Sequence, residues 1–425
     1  MDKKILLEII RKQVKPATGC TEPVAIALAC SRAAKELPDK PDQVHVQISK
    51  AFFKNASAVG IPNTGEKGIL IAAALGTIVD EPKDQLRLLE DVSPRQLAIA
   101  KDMVSQKRVR AEFIEIDQSV YVKATVKTGK DTAVAVIANG HTNMILLEVN
   151  GKKVFESATD DVKDNKCGNI PKIGLTDILD AVDNMELDEI SFLRDGIEMN
   201  MKMAEYGLNN KVGLGIGSGM WSLMNKGMIC NDIINRIKMM VAAASDSRMG
   251  GVNMPVMTSC GSGNQGITAI LPIALVADQH KKSEIELMRA IALSHLINVF
   301  VKQFMGKLSP ICGCSVSAGL GATAGITWLL GGTREQIEGA MKSLIASLTG
   351  TLCDGAKESC SFKLETAAGE AAVYAFLALE DVYIKDEQGV VENSLENSIK
   401  NMQLVSEYGM QNADDAILKI ITNRM

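Results

Sequence analysis

The sequence predicts an α+β protein: an N-terminal α+β unit with an antiparallel sheet, followed by a large, mainly helical domain that also takes the N-terminal helices. Three observations carry this. Apolar residues alternate with period two from Val109 to Phe155. Beyond Lys172 nearly every apolar pattern has the helical period instead. Of 425 residues, 46% are hydrophobic but only 4% aromatic, with 35 glycines and 21 methionines, so aliphatics, Met and close backbone contacts must fill the core.

Ile5, Leu6, Ile9 and Ile10 form one stripe of a first helix. A loop from Pro16 to Cys20 leads to a second, with Thr21 as its expected N-cap and Glu22 and Pro23 in its first turn. That helix runs to about Glu36, before Pro38. Val44–Ser49 alternates like a strand, Gly68–Val79 is an apolar helix, and Ser93 caps a helix reaching Lys107. Arg110–Ile116, Val120–Val126, Thr132–Ile137 and Met144–Val149 then read as strands of an antiparallel meander, with Gly129 and Gly151 as turns. The polar stretch Ala158–Lys172 is the expected boundary. It divides the chain into N-terminal helices carrying Cys20 (1–40), expected on the helical domain, an α+β domain (41–165) and a helical domain (166–425). Helices are predicted over Leu175–Met185, Glu189–Leu208, Asp232–Ser245, Lys282–Phe304, Arg334–Leu348 and Leu364–Leu379. Two segments without charge, Met249–Ala277 and Leu308–Thr333, contain glycines, prolines and scattered polar groups, so they read as buried helices and loops rather than membrane spans.

The net charge of −5 and the scarcity of aromatics exclude a nucleic-acid surface. The start, Met1–Lys12, has no long apolar run, so a cytoplasmic protein with reduced thiols is expected. His45, His141, His280 and His295 show no zinc-ligand spacing.

Nine cysteines are the chemical resource. Cys312-Gly313-Cys314 and the pair Cys353 and Cys360 lie in Gly-containing segments, and read either as buried thiols or as a metal or cluster site. Cys20 enters a helix, where the N-terminal dipole favours a thiolate; the alternative is a residue that only fills a cap position. Cys30, Cys167 and Cys230 are expected to be core thiols. Gly261–Gly266 matches G-x-G-x-x-G without a βαβ setting, so it reads as an anion-binding loop in which Ser262, Gly263, Asn264 and Gln265 offer donors. Gly213–Gly219 is expected to permit close packing. Asn63-Thr64-Gly65 is a turn, whether or not it presents polar groups to a ligand.

The segments Gly19–Ala27 (GCTEPVAIA), Ser262–Ile267 (SGNQGI), Cys312–Ala322 (CGCSVSAGLGA) and Cys353–Cys360 (CDGAKESC), in this order, together resemble the L-cysteine desulfidase family, which is related to the α chain of iron–sulfur L-serine dehydratases. The resemblance implies an oxygen-sensitive [4Fe-4S] cluster and no pyridoxal phosphate. Cys312, Cys353 and Cys360 would hold it, with Cys314 the alternative to Cys312, leaving one iron open as a Lewis acid for the departing thiolate. The reaction implied is non-redox β-elimination of L-cysteine to pyruvate, ammonia and hydrogen sulfide. Ser262, Gly263, Asn264 and Gln265, with Asn63 and Thr64, would bind the substrate, and Cys20 as thiolate would take the Cα proton. Lys357 is then no Schiff-base lysine but an ordering residue of the cysteine loop or a surface charge. L-serine dehydration on the same cluster is the alternative reaction, and a non-catalytic thiol or metal sensor the alternative outside enzymes. The last residues, Ile421–Met425, hold no cysteine, so a tail ligand is not expected. A homodimer acting on a small amino acid, away from nucleic acid and membranes, completes the expectation.

Overall fold

The computed structural model describes residues 2–82, 85–116, 118, 120–157, 172–306, 309–410 and 412–424. Nearly all of the predicted boundary, Ala158–Lys172, and the proposed core thiol Cys167 lie outside the described residues. The elements run α1 (Lys3–Gln13), β1 (Pro16–Thr18), α2 (Thr21–Lys35), β2 (Gln43–Ser49), α3 (Lys50–Ala56), α4 (Ile69–Gly76), α5 (Pro94–Ser105), β3 (Val109–Ile114), β4 (Tyr121–Thr128), β5 (Asp131–Ala138), β6 (Met144–Val149) and β7 (Lys152–Glu156). The helical part follows with α6 (Leu175–Asp183), α7 (Leu187–Ile190), α8 (Arg194–Asn210), α9 (Ile216–Asn225), α10 (Ile233–Met249), β8 (Pro255–Met257), α11 (Gly263–Gln279), α12 (Glu284–Met305), α13 (Val316–Leu329), α14 (Arg334–Leu348), α15 (Cys360–Leu379), α16 (Leu395–Leu404) and α17 (Ala413–Thr422). The fold is α+β, as the periodicities require.

The six-stranded sheet has the order β3-β2-β4-β5-β6-β7. Its meander from β4 to β7 is antiparallel, but β2 and β3 pair in parallel, Val44 opposite Val109. The sheet is therefore mixed rather than wholly antiparallel. The physical reason is the connection: α3, α4 and α5 lie between β2 and β3, a crossover long enough to return the chain in the same direction. Alternation then buries Val44, Val46 and Ile48 with Val122, Ala124 and Val126 on one face. Against that face pack α2 and α4. Their approach is close, because a Cβ on Gly76 would lie 2.2 Å from the carbonyl oxygen of Ala27.

The N-terminal helices divide between two cores. Leu6, Ile9 and Ile10 of α1 join the helical core, whereas Val24–Ala29 of α2 belong to the sheet's core. Of the two helices α1 therefore lies with the helical core, and α2 is apolar nearly all round because the sheet and α4 both cover it. Leu418 of α17 also joins the sheet's core. The charge-free segments become α11 and α13, enclosed by α8, α10, α12, α14 and α15. Among the described residues no helix is long and apolar enough to cross a membrane. The Gly213–Gly219 turn packs on α10 as expected: a Cβ on Gly217 would sit 2.6 Å from the backbone of Ala243.

Replacing Gly76 by Ala forces α2 and α4 apart. We expect a loss of about 2 kcal/mol, the usual cost of overpacking a core, read from urea-unfolding midpoints.

Candidate active site

Two short pairings build the site. The strands β1 and β8 run antiparallel, Ala17 opposite Val256, and tie the segment before α2 to the segment before α11. This brings Cys20 towards Ser262. The second pairing is the bridge between Ile311 and Leu352, with Cys312 N donating to Thr351 O (2.8 Å) and Cys353 N to Pro310 O (2.6 Å). It sets Cys312 beside Cys353. A cavity of about 460 Å³ opens between them, lined by Cys20, Ser262–Gln265, Cys312, Cys314, Cys353 and Cys360. Neither Asn63 nor Thr64 lines it. Thr64 Oγ1 donates to Ile61 O (2.9 Å) within the turn, and Asn63 Nδ2 donates to Glu90 O (3.2 Å), which ties the turn to a distant segment.

Cys20, not Thr21, is the N-cap residue of α2, and its side chain makes no capping bond. Its thiol is left to face the cavity. The expected depression of its pKa is reversed: burial pushes it up to about 11, against the opposing pull of the nearby Arg248 guanidinium. Desolvation outweighs the helix terminus because only 6% of the residue is exposed.

The loop that matched G-x-G-x-x-G begins α11, preceded by an antiparallel partner of β1 rather than by a parallel strand, which excludes the dinucleotide setting. Ser262 caps α11, accepting from Gln265 N at 3.4 Å, and its hydroxyl lies 3.8 Å from Cys314 Sγ. Asn264 Oδ1 accepts from Arg248 Nη1 (3.1 Å). Gln265 Oε1 accepts from Asn298 Nδ2 (3.0 Å), which also reaches Ser259 Oγ (2.8 Å), and His295 Nδ1 pairs with the same hydroxyl (2.9 Å). The loop is thereby held from beneath by buried polar side chains of α12.

The cysteines crowd one another. Hydrogen bonding to Cys314 is the first cause that raises Cys312, and hydrogen bonding to Cys312 is the first that raises Cys353 well above its ordinary range. Burial pushes Cys360 up to about 11, with the charges of Cys312 and Cys353 adding to it. Thiols that resist ionisation in each other's company, with Lys54 and Lys357 nearby to offset the charge, are a donor set suited to a cationic cofactor that holds them as thiolates. Among the described residues no three His, Cys, Asp or Glu side chains converge as ligands of a single ion do. A four-iron cluster places each thiolate on a different iron, so it does not require that convergence. The residues therefore fit such a cluster.

Lys357 orders the loop: its ammonium bonds Asp354 and Gly355 O (3.1 Å), and Lys363 bonds the same Asp354 and Leu352 O (2.6 Å). Gly355 has φ +94, and a Cβ there would lie 2.3 Å from Lys54 O, so the loop needs glycine at that point. Of the proposed core thiols, Cys30 is buried, but Cys230 is exposed because it lies in the turn between α9 and α10.

The chain has relatives among known proteins. The family model described as serine dehydratase alpha chain matches residues 83–419. The chain belongs to the serine dehydratase alpha chain family. Its relatives include a UPF0597 protein of Clostridium botulinum (strain Hall), 43% identical over 98% of this chain and 96% of its own. Another is a UPF0597 protein of Clostridioides difficile (strain 630), 39% identical over 98% and 99%. A third, from Caldanaerobacter subterraneus subsp. tengcongensis, is 39% identical over 100% and 99%. The serine dehydratase alpha chain match includes Ser262–Gln265 and all four cavity cysteines at 312–360, while Cys20 lies before it.

Among the cations that line the cavity, Arg248 and Lys302 are absent from the sequence-based expectation. Arg248 stands at the end of α10, and Lys302 in the last turn of α12, where a Cβ on Gly313 would meet its Nζ at 2.6 Å. The available signal was position: Arg248 is the last charge before the charge-free run that begins at Met249.

His295 gives this site a pH limit. Burial lowers its pKa from 6.5 to about 3, so the unfolded chain takes up a proton that the folded chain refuses. Its contribution to stability is complete above about pH 6.5 and is lost as pH falls from there towards 3. We expect unfolding midpoints to drop between pH 7 and 5 by up to roughly 1 kcal/mol per pH unit, and His295→Gln to flatten that slope.

Proposed function

We propose that this lyase-family protein is an iron–sulfur-dependent L-cysteine desulfidase, which converts L-cysteine to pyruvate, ammonia and hydrogen sulfide. The observation that carries the reading is the convergence on one cavity of Cys20, the Ser262–Gln265 loop and the thiols Cys312, Cys353 and Cys360. The three thiols would hold a [4Fe-4S] cluster. Cys360 feels the charges of Cys312 and Cys353, which favours that set, with Cys314 left beside Ser262. When bound, the cluster supplies a Lewis acid for the leaving sulfur.

The chain's own residues orient the amino acid and move its proton. The α11 N-terminus, with Asn264 and Gln265, receives the α-carboxylate, because free N–H groups and the helix dipole favour an anion there. Substrate held so, in a cavity that Cys20 also lines, brings its Cα–H to the thiolate of Cys20. Proton removal and departure of sulfide leave aminoacrylate, whose imine tautomer takes up water to give pyruvate and ammonia. Because resting Cys20 is protonated at neutral pH, kcat/KM follows the fraction present as thiolate. That fraction rises about tenfold per pH unit below a pKa near 11. A pH-independent kcat/KM between pH 7 and 10 would remove Cys20 from the base role.

The family's description as serine dehydratase alpha chain favours one competitor, L-serine dehydration with hydroxide as leaving group. Soft sulfur suits iron already held by thiolates, which places cysteine first. Anaerobically purified protein, with iron and sulfide quantified, should release pyruvate from L-cysteine faster than from L-serine; the reverse order makes it a serine dehydratase. In the same assay Cys20→Ala should keep its iron and lose turnover by about 100-fold or more.

A further inference from the structure

We infer that Arg248 is the charged receptor for the substrate's α-carboxylate, supplying the cation that the Ser262–Gln265 loop lacks. The inference rests on the amino-acid lyase reading above and assigns that site's main anion contact.

Arg248 is only 9% exposed, at the end of the long helix α10. Its guanidinium has three neutral partners, one of them the Cys20 thiol. Nη2 donates to Gly19 O (3.0 Å) and Nη1 to Asn264 Oδ1 (3.1 Å). Nε, fully buried, has no hydrogen-bond partner among the described residues. No ion pair joins Arg248 to a carboxylate among those residues, although the basic side chains of Arg194, Arg334 and Lys54 each have one. A buried guanidinium left with a thiol and with carbonyl and amide oxygens, but with no carboxylate, is costly, and an incoming anion relieves that cost. Its planar fork suits a carboxylate better than a point charge would.

Its place defines what the anion is part of. One edge of the guanidinium touches Asn264, in the first turn of α11, and the other touches the carbonyl immediately before Cys20. Arg248, Asn264 and Cys20 all line the cavity. An anion bound on Arg248 therefore lies between the helix terminus and the thiol that takes a proton from the neighbouring carbon. An α-carboxylate meets that description. Gly263 is part of the same device: a Cβ there would lie 2.3 Å from Arg248 Nε, so only glycine lets the guanidinium lie beneath the loop.

The test compares L-cysteine with its methyl ester, which keeps the thiol and amine but not the anionic charge. It uses the anaerobically prepared, iron-loaded full chain. Wild-type protein should favour L-cysteine in kcat/KM. In Arg248→Met the value for the ester should fall through the weaker Cys20 thiolate alone, and that for L-cysteine should fall about 100-fold further, as for a lost charge-assisted bond. Arg248→Lys should recover part of the loss, and Gly263→Ala, which displaces the guanidinium, should reproduce it. Equal losses for both substrates would show a role in folding or in the proton step and overturn the inference, as would no loss in either. A second readout uses metal-free protein and needs no turnover: the rate of Cys20 alkylation by iodoacetate relative to iodoacetamide, followed by mass spectrometry. Arg248→Met should lower that ratio about tenfold or more. An unchanged ratio overturns the inference. Iron-loaded wild-type protein that turns over neither cysteine nor serine would sink the proposed reaction, and the alkylation ratio would still decide Arg248.

Discussion

Three residues of antiparallel pairing, Pro16–Thr18 against Pro255–Met257, are the constraint on which the site depends. They join a segment that precedes the sheet to one deep in the helical part. The chain changes cores immediately afterwards: Cys20 still counts with the helical core, while Val24 belongs to the sheet's. A side chain at such a crossing sits at the edge of its core, where the chain leaves it. That is why Cys20 is 6% exposed and still faces a cavity.

Charge governs the rest of the site. Its thiols resist ionisation because they are buried and close together, and its cations are arranged around them. Lys54 is held against Asp414, and Lys357 and Lys363 against Asp354, so each of these ammonium groups is already paired. Arg248 has no such carboxylate among the described residues. One cavity thus combines structural cations, which hold the cysteine loop, with a cation left available for a ligand.

Much of this was legible locally. Ser93 was read as a cap, and it forms a full capping box with Gln96. The period-two run became β3 to β7. What local pattern does not carry is pairing at a distance. No residue in β2 or β3 announces that they run parallel, because direction follows from the crossover between them. Cys20 and the loop cysteines were legible by residue type and motif, but Asn63 and Thr64 were not separable from ordinary turn residues until their bonds could be seen. Arg248 was hidden for another reason. A single arginine at the end of a helix reads as a solvated dipole partner, and only tertiary burial reveals it as an unneutralised charge.

The division of the N-terminal helices also has a consequence for synthesis. The apolar stripe of α1 packs on α6 and α12, but the whole sheet unit intervenes in sequence. At ordinary translation rates the partner helix α12 follows roughly 270 residues later, on the order of half a minute. Until then Leu6, Ile9 and Ile10 have no helical core to enter, and β1 has no β8 to pair with. The nascent chain has all the strands of its sheet, though not the α17 helix that adds Leu418 to the sheet's core, while its own first helix waits, and Cys20 is enclosed only when the second half of the protein arrives.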